Sequence, residues 1–524
     1  MMKKKNLVPV SLLIGIVFNL LFWEKVPGIS FPIFVLLCLS NGFLLVKSTG
    51  RIPAKINWLL IAFALVFSAM TFLRGEPFTR FTGFALTLLS MALLASSYLS
   101  SRWLNFNLID HITNLFGLGI GMISLPWLQK REKRESKTGR NKKTHLMTIL
   151  RGIAISLPIW LVFLGLLYSA DLIFAQRIDR LTARLNLENL SELAVQLVLA
   201  LLTAYFFTGA ILFAAQRSDK PSATSTGKQS VPPFLGLTET SIILGGVILL
   251  FASFVIIQFQ YLFSGQANIS LEGFTYAEYA RRGFGELVGV AALSILLLKG
   301  LSIATKKVTE GQQRIFSALS SGQVVLVLVI LVSAFQRLSL YESAYGFTRF
   351  RAYSHILIIW LGIFLLAYLM MEFFKRQSQF INISLLVIAG FSLTLGALGI
   401  DVFIARKNIE RSMQSQPLDA AYLAGLSSDT VPTIVEWFSK KQVPVDLREG
   451  LGAALVCFQQ LHKNQLNDEL PWQSFHLANR AAMNALKNVS EELKQYTVND
   501  EEWPVVVTSP RGIWFPCNAS RGMD

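Results

Sequence analysis

The residues of this 524-residue chain best suited to chemistry gather in short runs of Tyr, Glu and Arg. The first run is Phe274-Thr275-Tyr276-Ala277-Glu278-Tyr279-Ala280-Arg281-Arg282-Gly283-Phe284. On a helix, Glu278 would face Arg281 and Arg282 at i+3 and i+4, and Tyr276 and Tyr279 would share a face. The second run holds Arg337, Tyr341, Glu342, Tyr345, Gly346, Phe347, Thr348, Arg349, Phe350 and Arg351. Guanidinium forks chelate phosphate or carboxylate. Arg281, Arg282, Arg349 and Arg351 therefore form a candidate site for an anionic headgroup, a solute or a protein partner, with Glu278 or Glu342 as the nearest base. Arg406 and Asn408 complete the candidate set. The competing reading makes the same residues anchors, because Tyr rings and Arg stems settle at the headgroup level of a bilayer.

Other chemistries lack their residues. The histidines (His111, His145, His355, His462, His476) show no ligand spacing, and Cys38, Cys457 and Cys517 form no CxxC, so no metal is expected. Neither a glycine-rich phosphate loop nor a nucleophile elbow occurs, and no cofactor is expected. The formal net charge of +16 is unaccompanied by any groove-reading motif, which argues against nucleic acid.

The elements that must position these groups are membrane spans. Charged residues make up only 15% of the chain, against about 25% in an ordinary soluble protein. Eleven apolar stretches are long enough, or nearly so, to cross a hydrocarbon core about 30 Å thick. They lie at 6–23, 29–46, 56–73, 81–99, 152–170, 193–215, 240–262, 284–298, 320–336, 356–371 and 380–400. Backbone in lipid satisfies its own hydrogen bonds, so each span should be a helix. The expected fold is an all-α polytopic bundle with a small helical extramembrane tail.

Residues 103–129 are apolar but carry Asn105, Asn107, Asp110, His111, Thr113 and Asn114, and are read as an interfacial or re-entrant helix. Asp110 beside His111 is either a proton-active pair or a polar patch. A basic loop follows at 130–147. Residues 216–237 form a cytoplasmic linker, dividing an N-terminal block (1–215) from a C-terminal block (238–400). With the N-terminus in the cytoplasm, 25 Lys and Arg fall inside and 11 in the outer loops and span ends. The positive-inside rule then places the C-terminus outside.

Three runs carry a family resemblance. Tyr276-Ala-Glu-Tyr-Ala-Arg-Arg-Gly-Phe284, then Leu338 to Arg351, then Asp401 to Arg411 followed by Leu418-Asp419-Ala-Ala-Tyr422-Leu423, resemble in order the blocks of the bacterial domain of unknown function 4173 family and the related 4153 family. The resemblance covers about 240 to 430; the first 215 residues are similar only as a multi-span region. It implies a bacterial cytoplasmic-membrane protein and supplies no activity.

Beyond 401, segments near 418–426, 430–441, 447–462 and 475–497 read as short amphipathic helices of a tail domain running to 524. An outer tail would place Cys457 and Cys517 where disulfides form, although spacing alone does not pair them.

None of the eleven stretches has a charged residue in its interior, which argues against an ion-coupled carrier. Asn19, Asn41, Gln258 and Gln260 are their notable polar groups. The favoured expectation is a non-catalytic sensor, scaffold or partner-binding module in contact with the bilayer. The alternative is a transporter, or an outer-leaflet enzyme acting on an anionic lipid-linked or small solute.

Overall fold

The computed structural model describes residues 7–135, 156, 160, 163–184, 190–218, 233–262, 284–414, 416–463, 466, 470–499 and 505–517. Much of the expected span 152–170, most of the linker, the basic loop beyond 135 and the cluster from Tyr276 to Arg282 lie outside them.

Among the described residues nine helices are long and apolar enough to cross a membrane, and Leu7–Phe22 and Asn57–Leu73 are shorter apolar ones. The chain is a helical multi-pass membrane protein. Its helices are α1 (Leu7–Phe22), α2 (Ser30–Lys47), α3 (Asn57–Leu73), α4 (Pro77–Ser97), α5 (Leu108–Glu135), α6 (Leu172–Arg184), α7 (Leu190–Gln216), α8 (Leu237–Leu262), α9 (Phe284–Ala304), α10 (Glu310–Tyr345), α11 (Arg349–Phe373) and α12 (Phe380–Leu398). Local signals set several boundaries. Thr309 and Gln312 form a reciprocal capping box at the start of α10. Glu76 caps α4 just ahead of Pro77, accepting from Phe78 N at 2.8 Å and Thr79 N at 2.6 Å.

Where an interfacial or re-entrant helix was expected, α5 is a continuous helix of 28 residues, and its stretch Leu108–Leu128 is one of the nine. Its polar residues cluster in the first two turns, where the backbone needs partners. Asp110 accepts from Asn107 N at 3.0 Å, while His111 is buried with its ring edge-on to Phe106. The pair is thus divided between a helix cap and a packed ring.

Long-range bonds sort the helix ends into two groups. At one end, Asn57 Nδ2 donates to the carbonyls of Ser97 (2.7 Å) and Tyr98 (3.0 Å), Ser100 Oγ to Ser218 O (2.9 Å) and Asn382 Nδ2 to Leu104 O. At the other, Arg74 Nε donates to Gly396 O at 2.7 Å and Tyr353 Oη to Glu76. The tail packs on this second end. Its helices are α13 (Ile400–Ser412), α14 (Ala420–Ala424), α15 (Val431–Phe438), α16 (Val445–Leu461), α17 (Leu477–Asn488) and α18 (Ser490–Leu493).

The expected tail helices are present, and three short strands accompany them: β1 (Thr497–Asn499), β2 (Val506–Thr508) and β3 (Trp514–Pro516), an antiparallel meander in sequence order. Cys457 of α16 and Cys517, just past β3, form a buried disulfide that fastens the sheet to the helices. One apolar core runs from Ile356 and Leu395 of the bundle through Ile404 and Ile409 into Leu451, Phe458 and Val507 of the tail. The tail is therefore continuous with the membrane bundle. Gly399 makes the corner between α12 and α13 at φ 61°, where an added Cβ would also meet the Arg74 guanidinium at 2.9 Å.

Candidate functional site

The second and third sequence blocks meet where α10, α11 and the tail converge. Arg349 opens α11, and Asp401 lies in the first turn of α13. Arg349 Nε and Nη2 reach Asp401 Oδ1 and Oδ2 at 2.8 and 2.7 Å, a bidentate pair in which the carboxylate is 0% exposed. Asp401 Oδ2 also accepts from Ser427 N at 2.7 Å, and Arg349 N donates to Tyr422 Oη at 2.9 Å. One buried acid thus binds the start of a membrane helix to two tail segments.

Asn408 grips the linker ahead of α11 at two points. Its Oδ1 accepts from Phe347 N at 2.8 Å and its Nδ2 donates to Phe347 O at 2.9 Å. Arg411 Nη2 donates to Ala344 O at 2.6 Å. Gly346, at φ 82°, lets the backbone turn between those two side chains. Arg351 Nη1 donates to Gly346 O at 2.5 Å, and its guanidinium lies 4.0 Å from the centre of the Tyr341 ring. Tyr341 meets Tyr345 edge-on at 5.0 Å.

Glu342 is 2% exposed, and its carboxylate lies 3.1 Å from His355 Nδ1; His355 Nε2 is 3.2 Å from Ser339 Oγ. The Ser339 hydroxyl also donates to Phe335 O at 3.0 Å. Serine, histidine and carboxylate thus stand in the order of a proton relay across α10 and α11. The sequence reading missed His355 because its partners lie 13 and 16 residues away on another helix.

A neighbouring set joins the N-terminal block to the tail. Asp429 Oδ2 accepts from Gly75 N at 2.6 Å and Ser427 Oγ at 3.1 Å. Burial pushes the Asp429 carboxyl above its ordinary value, against those two bonds and nearby Arg74. His476 Nε2 is 3.0 Å from Thr71 O, and Ile29 N donates to Phe475 O at 2.9 Å. Burial, with Arg80 nearby, pushes His476 down to about 4. None of these residues stood in the sequence-derived set, since only the fold brings 71–76, 429 and 476 together.

Of that set, the structure brings together Tyr341, Glu342, Tyr345, Arg349, Arg351 and Asn408, while Tyr276, Glu278, Tyr279, Arg281 and Arg282 lie outside the described residues. Arg406 stands exposed on α13, and its electrostatic neighbour is Glu436 of α15, not this group. The expected polar span residues mostly bind locally or between helices. Asn41 donates to Leu37 O at 2.8 Å, Ser333 Oγ to Gln258 Oε1 at 2.5 Å, and Asn19 to Gln196 O, whereas the Gln260 side chain lies outside the described residues. The helices outrun the expected apolar stretches, so Lys299, Arg337, Glu342 and Glu372 fall within them, toward their ends. Among the described residues no group of three or more His, Cys, Asp or Glu has metal-ligand geometry.

Comparison with known protein families places this architecture. Residues 61–437 match the model of a domain of unknown function, DUF4153, and that is well over half the chain. The protein belongs to the DUF4153 family. Of the two related families the sequence resembles, this is the one shown, and the match reaches well into the N-terminal block instead of starting near 240. No curated protein and no solved structure matches.

Proposed function

We propose that this protein is a non-catalytic membrane scaffold or sensor, whose bundle holds the tail domain as a platform for a partner. The observation that carries this reading is the Arg349–Asp401 pair. Both forks of the arginine that would have bound an external anion close on the chain's own buried carboxylate. Arg351 is turned onto Gly346 O and Tyr341 in the same way. Cations held by internal partners fix geometry, and they are poorly placed to exchange a substrate.

The proposed setting is a bacterial cytoplasmic membrane, with the tail on the outer side. Arg281 and Arg282 remain, by sequence, the candidate contacts for an anionic headgroup or a membrane protein partner. Charge reversal at both positions is expected to abolish capture of a partner by the full-length protein while insertion and abundance stay normal. Unchanged capture at normal abundance would refute a site there.

A second reading rests on the Ser339–His355–Glu342 order. In it, Ser339 Oγ would attack an acyl carbonyl as its proton passes to His355 Nε2, the leaving alcohol would take that proton, and water would release the acyl group. A fluorophosphonate probe applied to the full-length protein separates the two readings. The scaffold reading expects no labelling that Ser339→Ala removes. Labelling lost in both Ser339→Ala and His355→Asn would establish the hydrolytic one.

A further inference from the structure

We propose that a groove between α1 and α7, at the tail end of the bundle, binds a phospholipid with a primary-ammonium headgroup. The groove is open, with a volume of about 660 Å³, and Pro471 of the tail is among the residues that line it. Its wall is graded. Ile16, Leu20, Leu193 and Leu197 form an exposed apolar slope, and Asn19, Trp23, Glu24 and Lys25 gather at its upper end. Such a gradient is what a lipid meets in passing from acyl chain to headgroup.

The polar end has the groups a zwitterion needs. Asn19 Nδ2 is engaged by Gln196 O, which leaves Asn19 Oδ1 buried and without a partner. A buried acceptor left in that state lacks a donor. Trp23 Nε1 donates to Glu192 Oε1 at 2.8 Å, and Gln196 Nε2 donates to the same oxygen at 2.9 Å. Glu192 is thus a positioning residue that fixes the Trp23 ring against the groove. Glu24 is exposed and is held at φ 54°, a conformation that side-chain-bearing residues rarely adopt. Lys25 Nζ lies 2.7 Å from Leu20 O.

A carboxylate, an amide oxygen and an indole face suit an ammonium that has N–H donors. The lysine suits the phosphate beside it, and the four aliphatic side chains take the start of the acyl chains. The site lies apart from the Arg349–Asp401 junction and does not depend on the scaffold reading.

Native mass spectrometry of the full-length protein, titrated with phosphatidylethanolamine, phosphatidylcholine or phosphatidylglycerol, tests the assignment. Phosphatidylethanolamine is expected to be retained about tenfold better than phosphatidylglycerol, the worth of one charge-assisted hydrogen bond. Phosphatidylcholine, which lacks N–H donors, should fall between them. Glu24→Gln, a change at an exposed side chain, and Asn19→Ala should each remove that preference. Equal retention of the ethanolamine and glycerol lipids by the unaltered protein would overturn the proposal, whatever the variants do. So would a Glu24→Gln protein that keeps the wild-type preference. Displacement of the lipid by an equal concentration of glycerophosphoethanolamine would overturn it as well, because the apolar slope would then contribute nothing.

Discussion

At the residue scale, the arginines define the question. Local spacing predicts that Arg349 and Arg351 can bind an anion, and the structure supplies that anion from within the chain. Asp401 follows Arg349 by 52 residues, with a whole membrane helix pair between them. No window of sequence reveals such a partner; only the return of α12 does. The same limit hid His355 from Glu342. What was legible locally was the residue type and its placement at a helix end, as with Asn408. The pair's energetics follow from its burial. Arg349→Ala removes the guanidinium from the fully buried Asp401 carboxyl and leaves it the bond from Ser427 N, and should destabilise the protein by about 3 kcal/mol. The double variant with Asp401→Ala should cost less than the sum of the single changes. Thermal unfolding in one detergent, run as a double-mutant cycle, checks this; additive losses would show that the two side chains are not coupled.

At the element scale, most helices were legible because lipid imposes an unmistakable length and composition on them. Where an interfacial or re-entrant helix was expected, α5 forms; Asp110, Thr113 and Asn114 bond to backbone in its first turns, and its stretch Leu108–Leu128 is long and apolar enough to cross. One kind of element escaped. Strands β1, β2 and β3 have three residues each, too few for an alternating pattern to register. Their place is held by the bond between Cys457 and Cys517, 60 residues apart. Opening it should cost the tail about 4 kcal/mol by loop-closure entropy. The expected result is a lower melting transition in reductant that Cys457→Ser reproduces and reductant does not lower further.

The contact of α17 with α3 adds a pH dependence. His476 is held neutral, down to about 4 against an ordinary 6.5, so the unfolded chain binds its proton first. The stability it contributes is complete above pH 6.5 and is lost as pH falls toward 4, on the order of 3 kcal/mol at most. Asp429, shifted upward, acts in the opposite sense, gaining stability as pH falls. His476→Gln should therefore flatten the acid limb of a stability profile and leave the neutral region nearly unchanged. An acid limb of the same steepness in that variant would remove His476 from the account.

At the scale of the whole molecule, the open matter is which end faces the cytoplasm, and the structure changes the argument for it. The sequence reading rested on basic residues, with the run from Lys130 counted on the inner side. Helix α5 starts among the far-end residues and runs antiparallel to α7: Tyr205 Oη bonds Ile123 O, and Gly209 abuts Met122. Lys130, Arg131, Lys133 and Arg134 ride on its last turns, toward the tail end. That transfer weakens the charge bias considerably. It leaves the parity of the N-terminal block intact, because α5 runs toward the tail end and α7 runs back from it. The stronger argument is now chemical. A buried disulfide belongs in an oxidising compartment, and its tail is built into one end of the bundle. The tail end should therefore face outward. Cysteine substitutions at Tyr345, on the tail end, and at Lys55, on the far end, make this measurable, because the native free thiol Cys38 is buried. In intact cells an impermeant maleimide should modify the cysteine at 345 and reach the one at 55 only after permeabilisation. The reverse pattern would invert the molecule, and the disulfide would then have to form against a reducing cytoplasm.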